Sequence, residues 1–120
     1  MRDPTRGGLA TTLNEIVEGM GFGIVANEED IPVKEEVKAA CEMLGLDPLY
    51  VANEGKVAVI AADIHAEEIL GVMRAHPLGR DSRIIGEVVK EPCGKVLMRT
   101  KIGGTRIIGM MAGDQLPRIC

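Results

Sequence analysis

The sequence has almost no aromatic residues: its 120 positions contain one Phe, one Tyr and no Trp. Proteins that bind single-stranded nucleic acids stack the bases on aromatic side chains, and they usually carry a basic surface. This chain has a net charge of -4 instead. The composition therefore argues against nucleic-acid binding, and it requires a hydrophobic core built from aliphatic residues and methionine.

The sequence also lacks a long apolar run, a secretion signal and a paired-cysteine motif. No apolar stretch approaches the roughly 20 residues needed to cross a bilayer, and the first residues do not form a signal peptide. The three cysteines, Cys41, Cys93 and Cys120, contain no C-x-x-C pair. This pattern suits a reducing compartment and gives no zinc signature. It predicts a cytoplasmic protein with no membrane contact and no metal ligands of its own.

The order of the predicted elements favours an α+β fold, in which helices are layered on a mixed β-sheet, because helices and strands do not alternate strictly. Apolar spacing predicts three helices, and β-rich runs predict four strands and a β-hairpin with Glu54 and Gly55 at its turn. The predicted helices cover residues 8–20, 33–44 and 64–76, the last one capped by Asp63, the strands 22–26, 82–89, 95–100 and 105–110, and the hairpin arms 50–52 and 56–61. The apolar residues predicted to face the core are Leu9, Leu13, Ile16, Val17 and Met20 in the first helix, Val37, Ala40, Cys41 and Leu44 in the second, and Ile64, Ile69, Val72 and Met73 in the third. No regular structure is predicted after residue 110, so residues 1–110 form the domain and residues 111–120 a flexible tail.

The stretch "DPTRGGL", residues 3–9, could bind a phosphate group. Gly7 and Gly8 precede a helix, so the backbone can approach a ligand closely while the helix dipole favours an anion. The guanidinium of Arg6 suits phosphate oxygens, and Asp3 could hold Arg6 or share a metal ion with the phosphate. The alternative is a simple helix start with a surface arginine, since a single glycine-rich turn is weak evidence.

Other polar residues have plain structural interpretations. Glu54 in "ANEGK" is explained as a solvated hairpin residue beside Gly55. His65 and His76 flank a helix without the spacing of metal ligands, which predicts surface or capping positions. Cys41 lies on the inward face of its helix and is predicted to be a core residue, whereas Cys93 is predicted in a loop.

The C-terminal stretch "QLPRIC" places a thiol on the last residue, Cys120. Ten residues of extended chain reach about 30 Å, so such an arm could receive a chemical group in one place and deliver it in another. The alternative is a terminal cysteine without function.

Taken together, "MRDPTRGGLATTLNEI", "ANEGK" and "LPRIC" resemble the hydrogenase maturation family HypE. This family belongs to the ATP-binding superfamily of aminoimidazole ribonucleotide (AIR) synthetase and selenophosphate synthetase. The motif "DPTRGGL" is shared with the selenophosphate synthetases, whereas the terminal "PRIC" distinguishes HypE. The resemblance runs from Asp3 to Cys120.

The resemblance implies that this chain is the C-terminal domain of such a protein, with α/β/α layering and a partly ferredoxin-like fold. An N-terminal domain that forms the homodimer and most of the ATP site would be missing. A cut at a domain boundary would explain why the sequence enters its first predicted helix almost at once, without a leading strand. The family reaction begins when the carbamoyltransferase HypF places a carbamoyl group on the C-terminal cysteine. ATP-dependent dehydration then yields a thiocyanate. Its cyano group passes to iron on a HypC–HypD complex and becomes a ligand of nickel–iron hydrogenase.

Carried onto this sequence, the resemblance implies that Cys120 is the acceptor and carrier thiol and that Glu54 is the base. Magnesium would be held mainly by acidic residues of the missing domain, so this chain alone is expected to be inactive. Two other functions remain open: an interaction module whose tail is a docking peptide, and a selenophosphate synthetase-like domain. The residues implied to line the phosphate end of the ATP site are Asp3, Arg6, Gly7 and Gly8.

Overall fold

The computed structural model describes residues 7–51 and 57–109, and within these ranges it contains three α-helices and one four-stranded sheet. This arrangement confirms the predicted α+β class. Short 3-10 turns cover Glu28–Asp30, Pro48–Tyr50 and Pro77–Gly79. The helices are α1 (Gly8–Val17), α2 (Glu35–Leu44) and α3 (Asp63–Ala75), and the strands are β1 (Gly23–Asn27), β2 (Gly86–Val89), β3 (Val96–Arg99) and β4 (Thr105–Ile108).

The sheet is mixed and has the strand order β2-β1-β3-β4. Strand β1 pairs antiparallel with β2 and parallel with β3, and β3 pairs antiparallel with β4. The register places Ile24, Val96 and Ile108 side by side on one face, and all three are buried. This face of the sheet is the floor of the core.

Helix α1 covers that floor with an aliphatic stripe. Leu13 and Val17 are buried in the core cluster, and Leu9 and Ile16 pack against its edge. This matches the predicted apolar face, because residues three and four apart lie on one side of a helix. The predicted continuation to Met20 is wrong, because the helix ends at Val17 and Met20 is 53% exposed.

The predicted hairpin is wrong for the residues that the structure describes. Tyr50, assigned to its first arm, lies in the 3-10 turn Pro48–Tyr50, which starts where the Asp47 carboxylate accepts a hydrogen bond from the Leu49 amide at 3.0 Å. Residues 57–61 of the second arm form no strand and contain a single isolated bridge residue, Ala58. The Asp47-Pro48 pair favours a tight turn at this place rather than an extended strand. The central strands β1 and β3 already have a neighbour on each side, so neither has an edge left for the predicted arms.

The inward faces predicted for α2 and α3 are also only partly correct. Cys41 is the only buried residue of α2, and Leu70 is the only one of α3. These helices make their main contacts with short turns rather than with the sheet, α2 with Pro48–Tyr50 and α3 with Pro77–Gly79. Apolar residues expected in the core are therefore exposed, namely Val37, Leu44, Ile64 and Val72.

Candidate functional site

Helix α1 begins with two glycines in the left-handed backbone conformation. Gly7 occupies the capping position with a φ of 64°, and Gly8 follows with a φ of 68°. The first turn of this ten-residue helix contains no acidic residue. Such an end carries a positive partial charge that favours a phosphate or carboxylate group. Asp3 and Arg6 lie outside the described residues.

The two glycines are also required by the packing of the chain itself. A Cβ atom on Gly8 would lie 2.6 Å from the carbonyl oxygen of Val51 and would collide with that of Leu49. A Cβ on Gly7 would collide with the side chain of Thr11. The start of α1 therefore lies directly against the turn Pro48–Tyr50. Close approach of a ligand is not needed to explain why these positions are glycine.

The same turn is joined to strand β4 by two side-chain contacts. The hydroxyl of Tyr50 donates a hydrogen bond to the carbonyl oxygen of Gly109 at 2.7 Å. The guanidinium of Arg106 lies 3.1 Å from the carboxylate of Asp47. Both contacts connect residues 59 positions apart in the sequence.

Helix α1 holds the end of β4 as well. The carboxamide nitrogen of Asn14 lies 2.9 Å from the carbonyl oxygen of Ile108 and 2.9 Å from that of Ala10, and it can donate to both. The backbone at residues 108 and 109 is thus bonded to two different elements. Sequence patterns did not single out Asn14 or Tyr50. The one available signal was that Tyr50 is the only tyrosine of the chain.

The contacts bring together three points of the chain, each of which lies next to a segment that was predicted to carry the site. They are the start of α1, the residue Val51 that leads toward Glu54, and the residue Gly109 that leads toward Cys120. Glu54 and Cys120 themselves lie outside the described residues. Asn14 is six residues along the helix from Gly8, which corresponds to about 9 Å. The eleven residues after Gly109 can span about 36 Å, so the thiol could reach the start of α1.

The two histidines of the chain, together with Cys41 and Cys93, lie in the surroundings that the sequence predicted for them. His76 caps a turn by accepting a hydrogen bond from the Leu78 amide, and His65 is exposed on α3 beside Glu68. Cys41 is buried, whereas Cys93 is exposed in its loop. Over residues 7–51 and 57–109, no three metal-binding side chains form a group, and no helix is long and apolar enough to cross a membrane.

Two surface cavities lie elsewhere. The larger, of about 500 Å³, runs between residues 59–62 and α3 and is mostly apolar, with His65 and Glu68 at its edge. The smaller, of about 370 Å³, lies at the carboxyl ends of the parallel strands β1 and β3 and is lined by polar residues that include Arg99 and Lys101. Neither is lined by the glycines of α1 or by Tyr50.

Comparison with known proteins gives close matches. The family model of the C-terminal domain of AIR synthase related proteins matches residues 1–99. The carbamoyl dehydratase HypE of Cupriavidus necator is 59% identical over 120 residues, which are all of this chain and 34% of that protein. The HypE of Escherichia coli K12 is 40% identical over the same 120 residues, 35% of its length.

Solved structures agree. A crystal structure of the hydrogenase maturation protein HypE superposes with a TM-score of 0.92 at 47% identity, over 99% of this chain and 39% of that one. The structure of HypE in complex with ATP superposes with a TM-score of 0.90 at 46% identity, over 99% of this chain and 37% of that one. The structure of the HypE–HypF complex superposes with a TM-score of 0.86 at 47% identity, over 92% of this chain and 35% of that one.

These matches confirm the resemblance to HypE that the motifs indicated. The chain spans about a third of the length of the curated relatives that it matches. The family model covers most of the chain, and the structural superpositions place its helices and sheet in the same arrangement. The chain therefore belongs to the family of AIR synthase related proteins and contains their C-terminal domain.

Proposed function

We propose that this chain is the C-terminal domain of a HypE-type carbamoyl dehydratase and that Cys120 carries the substrate. One observation supports the specific assignment over the superfamily. The general family model ends at residue 99, whereas the HypE relatives match all 120 residues. The last part of the chain, which ends in Cys120, is thus covered by the match to carbamoyl dehydratases and lies beyond the match to the general family model.

The proposed reaction balances without a redox partner. Transfer of a carbamoyl group to the thiol of Cys120 gives a thiocarboxamide. Dehydration breaks the carbon–oxygen bond of this group, its nitrogen loses two protons, and a thiocyanate remains on the sulfur. ATP makes the oxygen a leaving group as phosphate, so that ADP and phosphate are the other products.

Within this chain, each predicted residue has one task. Glu54 would accept a proton from the nitrogen of the thiocarboxamide, as a general base near the modified cysteine. Gly7 and Gly8 form the uncharged start of α1, whose dipole suits the phosphate groups of the nucleotide. Asp3 and Arg6 would complete that end of the site.

Two solved structures of relatives support the ATP and HypF parts of the proposal. A HypE relative has been crystallised with ATP and another with HypF. We propose ATP with magnesium for the full-length protein, and magnesium ligands in its N-terminal domain. We likewise propose HypF as the carbamoyl donor, a HypC–HypD complex as the acceptor of the cyano group, a homodimer and a cytoplasmic location.

The experiment that tests the function compares cysteine variants of the full-length protein. Each is incubated with HypF, carbamoyl phosphate and ATP, and the C-terminal peptide is analysed by mass spectrometry. The wild type and Cys93→Ala, which removes a different exposed thiol, are expected to yield the thiocyanate on Cys120. Cys120→Ala and Cys120→Ser are expected to yield none.

Three results would contradict the proposal. Thiocyanate formation that persists in Cys120→Ala would remove Cys120 from the reaction. Delivery of the cyano group that tolerates Cys120→Ser would indicate that the tail is a docking peptide. AMP formation that depends on selenide would indicate the selenophosphate synthetase-like alternative.

A further inference from the structure

We propose that Tyr50 and Asn14 are positioning residues for the reaction on Cys120. They hold the backbone at residues 108 and 109, directly before the C-terminal segment, residues 110–120. This inference rests on the proposed function, because it assigns to the fold the task of presenting the thiol of that segment.

The geometry that supports this role is specific to residues 108 and 109. Ile108 is 4% exposed, so its side chain anchors the end of β4 in the core. Its carbonyl oxygen accepts a hydrogen bond from Asn14, and the next carbonyl oxygen, that of Gly109, accepts one from Tyr50. Two successive peptide groups are therefore bonded to side chains from α1 and from the turn Pro48–Tyr50.

Both donors have further contacts that orient them. The ring of Tyr50 packs against the core cluster, which orients its hydroxyl. The carboxamide of Asn14 is held through its second contact, with the carbonyl oxygen of Ala10 one turn earlier in the helix. Because the turn and the start of α1 are in direct contact at Gly8, the segment begins at a defined place relative to the proposed phosphate end of the site.

A fixed starting point matters because the thiol reacts as a tethered group. The effective concentration of a tethered group at its target depends on the length and stiffness of the tether. Fraying of β4 by a few residues would lengthen the tether only slightly, and this changes the effective concentration by less than about twofold. The larger expected effect is the loss of the fixed starting point that the hydrogen bond from Tyr50 to Gly109 provides. One hydrogen bond corresponds to a factor of about three to ten in an equilibrium.

The test uses Tyr50→Phe in the full-length protein, since this change removes only the hydroxyl and keeps the packed ring. Cys120 is first carbamoylated with HypF, and conversion to thiocyanate is then followed in a single turnover after addition of ATP. We expect the conversion to slow by about threefold to tenfold, with the ATP concentration for half-maximal rate unchanged. The carbamoylation by HypF is expected to stay within about twofold of the wild type.

The matched control is Arg106→Met, which breaks the other link between the same turn and β4 but leaves residues 108 and 109 bonded. It is expected to convert at the rate of the wild type. Asn14→Ala is a second variant at the neighbouring carbonyl and is expected to slow the conversion as Tyr50→Phe does. The thermal unfolding midpoint of each variant is measured alongside to separate loss of fold from loss of rate.

Three outcomes would overturn the inference. If Tyr50→Phe and Asn14→Ala convert as fast as the wild type, the positioning role is wrong while the proposed function stands. If Arg106→Met is slowed as much as Tyr50→Phe, the contacts serve the stability of the sheet only. If the wild type itself forms no thiocyanate, the proposed function fails, and the positioning role fails with it.

Discussion

At the scale of single residues, the glycines at the start of α1 have two possible reasons to be glycine. The sequence suggests close approach of a phosphate, and the structure shows close approach of the turn Pro48–Tyr50. The second reason applies whether or not a ligand is bound. Gly19 has nearly the same backbone conformation, with a φ of 69°, but no atom would lie within 4 Å of an added Cβ. An alanine at Gly19 would meet only backbone strain, whereas an alanine at Gly8 would meet both strain and a collision, so a comparison of the two positions separates these costs.

We predict that Gly8→Ala destabilises the chain more than Gly19→Ala does. Both changes place a side chain at positive φ, which costs about 1 kcal/mol. At Gly8 the new methyl group also meets two backbone carbonyl oxygens, and overpacking of this kind adds about 1–3 kcal/mol. Urea unfolding of the two variants measures the difference. Equal losses would show that the turn moves away from α1 at little cost.

At the scale of elements, the three helices differ in how far they are buried. Five of the ten residues of α1 are buried, whereas α2 and α3 bury one residue each. The helical spacing of apolar residues is similar in all three, so amphipathic pattern alone did not distinguish them. Which helix covers the sheet depends on the loops that place it, and these loops carry no periodic signal. The predicted hairpin failed for a related reason, since its first arm is held as a turn by Asp47 and by the buried Leu49.

We predict that α3 exchanges its amide hydrogens faster than α1. Local opening requires less free energy where few apolar side chains leave the core, and α3 buries only Leu70. Hydrogen exchange followed by mass spectrometry on peptides from Asp63–Ala75 and Gly8–Val17 measures the contrast. Peptides of β1 and β3, the two inner strands, are the protected reference. Equal protection of α1 and α3 would contradict the prediction.

At the scale of the whole molecule, the sheet depends on a long crossover. The parallel pair β1 and β3 is separated by residues 28–95, which contain α2, α3 and β2. A parallel pair needs such a connection, because a tight turn can join only antiparallel neighbours. The same crossover carries the turn Pro48–Tyr50 back to α1 and β4. The architecture that builds the sheet therefore also assembles the candidate site.

We predict that a polypeptide of these 120 residues alone does not hydrolyse ATP, whereas the full-length protein does so when Cys120 is carbamoylated. The chain spans about a third of its relatives, and the resemblance places most of the ATP site in the remaining part. Phosphate release, measured for both proteins under the same conditions, tests this. Comparable rates would show that the residues of this chain suffice for ATP hydrolysis.

The sequence by itself determined the α+β class, the positions of the three helices, three of the four core strands to within two residues, and the family through "DPTRGGL" and "LPRIC". These features are local: they depend on apolar spacing and on short motifs. Only the tertiary structure decided that Gly8 packs on the turn Pro48–Tyr50 and that Tyr50 and Asn14 hold Gly109 and Ile108. The latter two contacts join residues 59 and 94 positions apart. Neither propensity nor periodicity describes pairs at such separations, because only the packing of α1 and β4 around one core brings them within hydrogen-bond distance.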